Sequence, residues 1–533
     1  MTLSLSQQAA RRRTFAIISH PDAGKTTLTE NLLLAGGAIR AAGEVAARGE
    51  RRRTTSDWMK IERDRGISVS ASVMTFEHHG NVYNLLDTPG HEDFSEDTYR
   101  TLTAADCAIM VLDAAKGIEP QTLKLFEVCR MRDIPIITFI NKLDREALDP
   151  LELLDEIADK LQLDTAPLFW PAGSGNRFGG MLDMRTGDFL PYVRHSADAP
   201  ITPGPVTPIP LSDARGMLDP SALSELEEGS ELAREALPEI DRDAFLGGHM
   251  TPVVFGTALR HFGVGELLAA LEEFAPAPRP QTAMGKAGPV VINRDDKTVS
   301  GFVFKIQANM DPNHRDRVAF LRLCSGEFRR GMRLKTSTGK QINVHNPLMF
   351  LAQDREIAET AYAGDVIGVP NHGQLRVGDS LSDSGDIQFA GIPNFAPEIL
   401  RRARSKDPMK AKHLRKALES LAEEGVTQLF TPSIGSDMIV GAVGALQIEV
   451  MAERMVSEYN LDVAFEPAPY NVARWIHCDS RPTLEAFLLK NKAASGTDLD
   501  GAPVYLAKNS WDVGYVAEKN PDIQFTATKE RAV

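Results

Sequence analysis

Residues 19–27, SHPDAGKTT, place a lysine and two threonines directly after a glycine. The spacing follows that of a phosphate-binding loop, G-x-x-x-x-G-K-[ST], except that Ser19 stands where the first glycine is usual. In such a loop Lys25 would neutralise the β- and γ-phosphates of a nucleoside triphosphate, and the Thr26 hydroxyl would bind Mg²⁺. An ordinary glycine turn before a helix is the alternative. The residues predicted to bind the phosphates are Ser19, His20, Pro21, Asp22, Ala23, Gly24, Lys25, Thr26 and Thr27.

A second motif, DTPGH at residues 87–91, follows the strand pattern of residues 81–86. A carboxylate at the end of a buried strand holds Mg²⁺ in P-loop proteins, so we predict that Asp87 binds the metal through water. Gly90 offers a backbone N–H that can approach a γ-phosphate, and Thr88 and Pro89 belong to the same nucleotide-binding turn. His91 is the candidate for positioning the attacking water, with a solvent-facing turn histidine as the alternative.

A third motif, NKLD, follows the apolar strand pattern of residues 134–140 and contributes Asn141, Lys142 and Asp144. The Asp144 carboxylate can accept two hydrogen bonds from guanine N1–H and the N2 amino group, a donor pair that adenine lacks. After a later strand, a turn is predicted to read guanine O6 through its backbone N–H groups. Its residues are Gly256, Thr257 and Ala258. Three motifs in this order, each behind a strand pattern, predict a guanine-nucleotide site.

The segment between the first two motifs is predicted to sense the γ-phosphate. Its basic loop at residues 48–53, RGERRR, can close over that phosphate, and a strand is predicted from Ile67 onwards. Ser68 would then place its hydroxyl on Mg²⁺, so that Thr26, Ser68 and Asp87 form the predicted metal site. A surface strand residue is the alternative for Ser68.

The elements that must position these residues are visible in the sequence. FAIIS, residues 15–19, supplies a buried strand before the first loop. TTLTENLLLAGG, residues 26–37, supplies a helix with leucines at helical spacing and two glycines at its end. A strand, a loop and a helix in this order are the arrangement that a phosphate loop requires.

The bulk composition is that of a globular protein of several domains. The chain has 533 residues, of which 25% are charged and 43% hydrophobic, and its net charge of -14 argues against a uniformly basic nucleic-acid coat. Four scattered cysteines without a C-x-x-C pair indicate neither a zinc site nor a disulfide framework. No apolar run reaches the ~18 residues of a membrane span. We therefore expect a cytoplasmic, monomeric protein without membrane or DNA partners.

The set SHPDAGKT, RGIS, DTPGH and NKLD resembles the translational GTPases, the family of elongation factors G and Tu. The resemblance implies GTP or GDP with Mg²⁺ as ligands, and the ribosome as partner. It implies that His91 orders the hydrolytic water once the RNA of the large ribosomal subunit touches it, at the intersubunit GTPase site. It also implies that Asp22 helps to hold a monovalent cation. The family usually has threonine where Ser68 stands, but serine keeps the hydroxyl.

The predicted fold is multidomain α/β. Residues 1–280 are a P-loop GTPase domain with an inserted subdomain at about residues 165–250, closed by the linker FAPAPRP at residues 274–280. Residues 281–388 show short strands and glycine turns and are predicted to form a β-barrel, in which RVAFLRLCSG and AYAGDVIG resemble the second domain of translational GTPases. Residues 389–533 are predicted to form a C-terminal α/β domain that contacts the ribosome.

Residues 405–425 predict a helix with Asp407 as N-cap, Pro408 as first residue and Gly425 at its end. Its predicted buried stripe is Ala411, Leu414, Leu418 and Leu421. Basic residues crowd its first half and Glu423 and Glu424 end it, against the preference of the helix dipole. We therefore predict that the basic side chains face ribosomal phosphate, with a solvated basic face as the alternative. They are Arg401, Arg402, Arg404, Lys406, Lys410, Lys412, Arg415 and Lys416.

Three later stretches resemble the bacterial release factor 3 group within this family. They are RARSKDPMKAKHLRKALESLAEEGVTQLF, GAVGALQIEVMAERMVSEYNLDVAFEP and NPDIQFTATKE. The resemblance, which runs along nearly the whole chain, implies a ribosome-dependent GTPase of translation termination that drives class I release factors off after peptide release. The alternatives are an elongation factor G-like or ribosomal protection GTPase, a P-loop kinase or ATPase, and a non-catalytic GTP-gated module. Few residues follow FEPAPYNV, so no tRNA-mimicking extension is expected.

Overall fold

The structure is a computed structural model that describes residues 3–39, 68–193, 206–308, 317–351, 355–389 and 392–530. The predicted basic loop at residues 48–53 and Ile67 lie outside the described residues. The strand predicted from Ile67 onwards begins only at Ser72, so Ser68 lies in the connection before it.

Residues 5–274 alternate strands and helices. The strands are β1 (Arg12–Ser19), β2 (Ser72–His78), β3 (Asn81–Asp87), β4 (Cys107–Asp113), β5 (Ile136–Asn141), β6 (Asp164–Pro167), β7 (Phe169–Ala172), β8 (Gly180–Asp183), β9 (Asp188–Pro191), β10 (Ile209–Pro210) and β11 (Met250–Phe255). The helices are α1 (Leu5–Ala10), α2 (Lys25–Ala35), α3 (Ser95–Leu102), α4 (Pro120–Met131), α5 (Pro150–Leu161), α6 (Leu211–Ala214), α7 (Pro220–Ala236), α8 (Arg242–Leu246) and α9 (Val264–Phe274).

The main sheet has seven strands in the order β2-β3-β1-β4-β5-β11-β6. All neighbours are parallel except β2 and β3, which form an antiparallel hairpin. Strand β4, CAIMVLD, is buried along its whole length, as expected for a parallel strand covered on both faces. In such a sheet the loops at the carboxyl ends of the strands form the ligand crevice.

The predicted insertion forms a separate four-stranded antiparallel sheet, in the order β10-β9-β8-β7, with helices α6 to α8. Its predicted start near residue 165 falls inside β6, which pairs in parallel with β11 at the edge of the main sheet. The sheet of the insertion therefore starts at Phe169, because the buried Thr165 and Ala166 extend the main sheet.

The second domain is built from antiparallel strands around a core of its own. Its largest sheet has eight strands in the order β18-β17-β23-β14-β15-β22-β19-β20. The strands are β12 (Gln281–Gly285), β13 (Gly288–Ile292), β14 (Ser300–Ala308), β15 (Arg317–Ser325), β16 (Glu327–Arg329), β17 (Arg333–Thr336), β18 (Gln341–Asn343), β19 (Leu348–Phe350), β20 (Arg355–Ile357), β21 (Thr360–Tyr362), β22 (Val366–Pro370), β23 (Ser380–Ser382) and β24 (Gln388–Phe389).

In its described residues the C-terminal domain combines an eight-stranded antiparallel sheet, in the order β29-β26-β28-β27-β31-β32-β30-β33, with four α-helices. The strands are β25 (Pro393–Phe395), β26 (Ile399–Ser405), β27 (Gln428–Pro432), β28 (Met438–Ala442), β29 (Val463–Pro467), β30 (Val472–His477), β31 (Ser495–Asp498), β32 (Pro503–Ala507), β33 (Gln524–Thr526) and β34 (Thr528–Glu530). The helices are α10 (Ala411–Glu423), α11 (Ala445–Tyr459), α12 (Arg481–Lys490) and α13 (Ser510–Lys519).

Helix α10 differs from its prediction at its start. Asp407 accepts the backbone N–H of Met409 at 3.0 Å and caps a separate 3-10 turn, Pro408–Lys410, before the α-helix begins. Ala411 is consequently at the start of the helix and exposed, so its prediction as a buried residue was wrong. The buried stripe is Leu414, Ala417, Leu418 and Leu421.

The acidic end of α10 has a structural explanation. Glu423 lies 2.8 Å from Arg317 of the second domain, and Glu424 lies 2.8 Å from Arg454 of α11. These ion pairs account for two carboxylates at a helix C-terminus, where the dipole alone disfavours them. The acidic end therefore no longer supports the prediction that the basic half of the helix faces phosphate.

Within the described ranges, no helix combines the length and the apolar character that crossing a membrane requires.

Candidate nucleotide-binding site

The predicted phosphate loop lies between β1 and α2, at the carboxyl edge of the main sheet. Gly24 has a left-handed φ of 99°, and a Cβ at this position would lie 2.3 Å from the Asn141 side-chain nitrogen. Glycine is therefore required there both by backbone conformation and by space. Ser19 is the last residue of β1 and is not among the described residues with positive φ. A serine fits this extended position, which explains the departure from the usual first glycine.

The three sequence motifs meet at one cavity of about 470 Å³. Fourteen of the predicted residues line it: Ser19, His20, Pro21, Asp22, Gly24, Lys25, Thr26, Thr27, Ser68, Gly90, His91, Asn141, Lys142 and Asp144. The other predicted nucleotide-binding residues are buried, and each lies within a few positions of a lining residue in the sequence. They are Ala23, Asp87, Thr88, Pro89, Gly256, Thr257 and Ala258. Residues separated by more than a hundred positions thus form one concave surface.

Lys25 and Asp87 form the charged centre of the phosphate side. The Lys25 Nζ lies 2.5 Å from Asp87 Oδ1, and the two side chains are 6% and 2% exposed. The Lys25 ammonium group therefore already forms an ion pair with the buried Asp87 carboxylate. The nearby Thr26 and Ser68 line the same cavity with hydroxyl groups. Hydroxyl and carboxylate oxygens are the hard ligands that Mg²⁺ prefers, so the donor set fits the predicted metal.

Asn141 joins the phosphate loop to the turn that is predicted to read the base. Its side-chain NH₂ donates to the Ala23 carbonyl at 2.9 Å, and its Oδ1 accepts the Ala258 backbone N–H at 2.8 Å. Both bonds are buried, and they hold one donor and the acceptor oxygen of the amide between the two loops. We infer that Asn141 holds the two loops in register.

Lys142 and Asp144 extend this network on the base side. The Lys142 Nζ donates to the backbone carbonyl of Asp22 and lies 2.8 Å from Asp113 at the end of β4. Asp144 Oδ1 accepts the Thr257 hydroxyl at 2.7 Å, so one carboxylate oxygen is fixed by the neighbouring turn. Lys142 and Asp144 are therefore each held by contacts to a neighbouring loop.

Asp113 supports the site although the sequence motifs do not include it. Burial raises the pKa of this carboxyl, but hydrogen bonds from Lys142 and from the Ala115 backbone N–H lower it more, and the net shift is downward. Asp113 is consequently ionised at neutral pH and pairs with Lys142. It follows a buried strand, as Asp87 does, and this common position is the signal by which it could have been found.

Two further cavity residues were missed, Arg145 and Leu259. Each directly follows a predicted motif, so extending the motifs by one residue would have included them. Leu259 is 48% exposed, which leaves an apolar side chain at the rim of a polar cavity. Apolar lining of this kind is typical of pockets that receive flat organic rings.

His91 is partly exposed at the edge of the cavity. Its Nδ1 accepts the backbone N–H of Asp93 at 3.2 Å. A ring nitrogen that accepts a hydrogen bond carries no proton, so the proton of the neutral ring is on Nε2.

The segments around Ser68 and His91 contact the C-terminal domain directly. Val69 and Phe94 are buried against Val450 of α11 in one apolar cluster, which joins three distant parts of the chain. Asp93 accepts the backbone N–H of Leu446 at 2.7 Å, at the start of the same helix. Val69, next to Ser68, and the residues just after His91 therefore both contact α11.

The eight basic candidates for ribosome contact differ in their surroundings. Arg402 and Arg404 pair with Asp437 and Glu466, Lys406 pairs with Asp462, and Arg415 pairs with Glu419. Arg401 and Lys410 donate to the backbone carbonyls of Leu400 and Asn460. Lys412 and Lys416 are exposed and have no ion pair within the part of the chain that the structure describes.

Comparisons with known proteins agree with this architecture. Residues 10–277 match the family described as elongation factor Tu GTP binding domain, and residues 298–384 match elongation factor G domain 2. Residues 389–517 match the family described as class II release factor RF3, C-terminal domain. A crystal structure of ttk003000868 from Thermus thermophilus is similar over 89% of this chain and 71% of that chain, with a TM-score of 0.69 and 25% sequence identity.

The first match spans half of the chain, and the chain belongs to the translational GTPases, whose GTP-binding domain is of the elongation factor Tu type. The C-terminal match adds the branch: this is a translational GTPase of the release factor 3 type. The predicted fold class and the predicted GTPase activity are thereby confirmed, with GTP and GDP as ligands, Mg²⁺ as the typical metal and the ribosome as partner.

Proposed function

We propose that this GTPase promotes the dissociation and recycling of class I peptide release factors from the ribosome after peptide release. The observation that carries the proposal is the contact between α11 and the segments around Ser68 and His91. This helix lies in the domain that matches class II release factors. A change at the γ-phosphate would thus reach the domain that is specific to this branch.

The phosphates are bound by the loop from Ser19 to Gly24 and by Lys25. The backbone N–H groups at the start of α2 and the positive end of that helix favour a phosphate at this position. Thr26, Ser68 and, through water, Asp87 would hold Mg²⁺, and that ion would neutralise charge on the phosphate oxygens. Within the phosphate loop, the positive side chain that faces the phosphates is that of Lys25.

The guanine base is read by Asp144 and by the turn from Gly256 to Ala258. The carboxylate accepts from guanine N1–H and the N2 amino group, and the turn donates to O6. The hydrogen bond between Asp144 and Thr257 fixes the carboxylate before the nucleotide arrives, so less ordering is needed on binding. Leu259, exposed at the rim, covers a face of the base.

His91 orients the attacking water. With Nδ1 occupied by the Asp93 backbone N–H, the neutral ring has Nε2–H available as a donor. This ring can orient a water molecule by donating to it from Nε2. Ribosomal RNA of the large subunit completes the arrangement, which makes hydrolysis dependent on the ribosome.

Asp22 is proposed to hold a monovalent cation beside the phosphates. Its side chain is exposed at the cavity, and its φ of 65° turns the loop sharply at this residue. Hydrolysis rates in potassium and sodium salts would differ if the cation contributes.

Ribosome binding uses the basic residues near α10. Lys412 and Lys416 are the strongest candidates, because within the described chain they neither pair with a carboxylate nor donate to a backbone carbonyl, as Arg401 and Lys410 do. Cations of this kind bind RNA phosphate and release counterions, which makes the affinity depend on salt.

The dissociation of the release factor depends on a difference between the GTP-bound and GDP-bound states of this protein. GTP orders the segments around Ser68 and His91, which changes how α11 and its domain rest on the GTPase domain. A ribosome conformation that fits the GTP state and binds a class I factor poorly then loses that factor. Hydrolysis frees the GTPase itself.

The test follows a fluorescently labelled class I release factor as it leaves ribosomes after peptide release. The protein with GTP is expected to speed dissociation, and the protein with GDP is expected to do so much less. His91→Ala with GTP separates the steps, since it should still eject the factor but remain bound itself. If the protein with GTP does not change the dissociation rate of the release factor but supports tRNA translocation, the protein functions in elongation instead.

A further inference from the structure

A cluster of two histidines and a glutamate lies far from the nucleotide cavity. His78 and His79 are at the tip of the β2–β3 hairpin, and Glu272 is on α9, 193 positions from His79. Strand β3 runs for seven residues from this tip up to and including Asp87, which corresponds to roughly 20 Å. The cluster is thus separate from the Mg²⁺ and phosphate side.

The shape of the turn brings the two histidines together. His78 pairs with Asn81 across the hairpin, which leaves a two-residue turn of His79 and Gly80 with φ values of 47° and 81°. Two left-handed residues define the type I′ turn, where asparagine or aspartate followed by glycine is the usual choice. The stacked imidazole rings have centroids 3.9 Å apart. Adjacent strand residues would normally point to opposite faces of the sheet.

Glu272 completes the cluster from the neighbouring helix. Its Oε2 lies 3.0 Å from His79 Nδ1, and one ligand atom from each of the three residues lies within 4.8 Å of the other two. Tetrahedral ligands at metal bonds of about 2.1 Å are separated by about 3.4 Å, so side-chain shifts of roughly 1 Å suffice. His79 is 68% exposed and Glu272 35%, which leaves both free to make such shifts.

We propose that His78, His79 and Glu272 form a binding site for a divalent transition-metal cation of the zinc class. Two imidazoles and one carboxylate are a donor set that suits Zn²⁺, Co²⁺ and Ni²⁺ and does not suit Mg²⁺, which prefers oxygen ligands only. The exposed side of the cluster leaves room for water as a further ligand.

A metal at this site ties the β2–β3 hairpin to α9. Arg11 already holds the turn by donating to the Gly80 carbonyl, so the tip is restrained from one side. Glu272 would restrain it from the other through the metal. The hairpin carries Asp87 at its far end, and α9 begins just after the turn from Gly256 to Ala258. The site therefore fixes two elements that lead to the nucleotide cavity, without contact to the nucleotide.

The test is a Co²⁺ titration of the untagged full-length protein, followed by visible d–d absorption. Excess Mg²⁺ and GDP keep the nucleotide site occupied. One equivalent is expected to bind and to be displaced by Zn²⁺. His79→Asn keeps a residue that the type I′ turn favours, and Glu272→Gln keeps the shape of the side chain. His345→Gln, at an exposed histidine of the second domain, is the matched control.

Both ligand variants should weaken Co²⁺ binding by more than the roughly 10- to 100-fold that loss of an outer-shell partner costs. The control should bind as the wild type does. The proposal is overturned if the wild type shows no saturable absorption, or if both ligand variants bind Co²⁺ with unchanged affinity.

Discussion

The Asp93 carboxylate caps a helix of another domain, because its Oδ2 accepts the backbone N–H of Leu446 at 2.7 Å. Gly444, the N-cap residue of α11, has no side chain to do this, and a Cβ there would lie 2.0 Å from the Asp93 carboxyl carbon. Asp93 is also the residue whose N–H binds the His91 ring. The residue that fixes the candidate catalytic histidine therefore also fixes the C-terminal domain.

Asp93→Ala should loosen the start of α11 without loss of GTP affinity. Removal of a capping acceptor costs about 0.5–2 kcal/mol, which corresponds to an increase of roughly 2- to 30-fold in local opening. Amide hydrogen exchange at residues 445–447 measures this. Asp93→Asn keeps an acceptor oxygen and should exchange at nearly the wild-type rate. Equal exchange in Asp93→Ala and wild type would show that the cap contributes nothing.

Lys25→Ala should remove tight GTP binding. Truncation of one partner of a desolvated charge pair typically costs 2–5 kcal/mol, or roughly 30- to several thousand-fold in affinity. Isothermal titration calorimetry measures the loss. Because the variant leaves Asp87 buried without its cation, circular dichroism must first show a native fold. Lys160→Ala, at an exposed lysine of α5, is the control, and wild-type affinity in Lys25→Ala would refute the loop assignment.

Asp144→Asn should shift the base preference from guanine towards xanthine. The amide presents a donor to the xanthine O2 carbonyl, where guanine has an amino group. Competition of GTP and XTP for the cavity measures the shift. Asp155→Asn changes an exposed carboxylate on α5 and should leave the preference unchanged. GTP affinity that survives Asp144→Asn intact would mean that another group reads the base.

Much of the site could be predicted because local sequence fixes it. Each motif joins the end of a strand to a turn, so the strand pattern and the residue types are read together at Lys25, Asp87 and Asn141. The pattern of residues 405–425 likewise predicted α10, although not the 3-10 turn before it. Turn type depends on a few degrees of backbone rotation that residue identity alone does not set.

The tertiary contacts between residues far apart in the sequence could not be predicted. Asp93 and Leu446 are 353 positions apart, and the buried pair of Glu424 and Arg454 joins two helices through a contact that no local pattern marks. The acidic end of α10 served as support for a basic half that faces phosphate, and the ion pair of Glu424 with Arg454, which the sequence does not reveal, removes that support. The cluster of His78, His79 and Glu272 likewise depends on a tertiary contact.

His91→Ala should leave GTP binding intact and remove the stimulation of hydrolysis by ribosomes. Positioned catalysis of this kind is typically worth about 10²- to 10⁴-fold. Single-turnover hydrolysis with and without ribosomes measures it, and His372→Ala, at an exposed histidine of the second domain, is the control. Full stimulation in His91→Ala would place the partner of the water elsewhere in the cavity.

The last prediction concerns the basic residues of α10, whose charges are not equivalent. Arg415 is balanced by Glu419, whereas Lys412 and Lys416 have no carboxylate partner within the described chain. If these two lysines contact ribosomal RNA, Lys412→Gln with Lys416→Gln should flatten the dependence of log affinity on log salt by about 1 for each lost phosphate contact. GTP affinity of the free protein should not change.

Ribosome binding measured at several salt concentrations gives this slope for the double variant and for a control of equal charge. Arg481→Gln with Lys490→Gln also removes two positive charges, but from α12 of the same domain. A general loss of attraction between the protein and the ribosome would flatten both slopes equally. A flatter slope in the Lys412 and Lys416 variant alone identifies a local contact. Equal slopes in the wild type and both variants would mean that this face of α10 is solvated and does not contact ribosomal RNA.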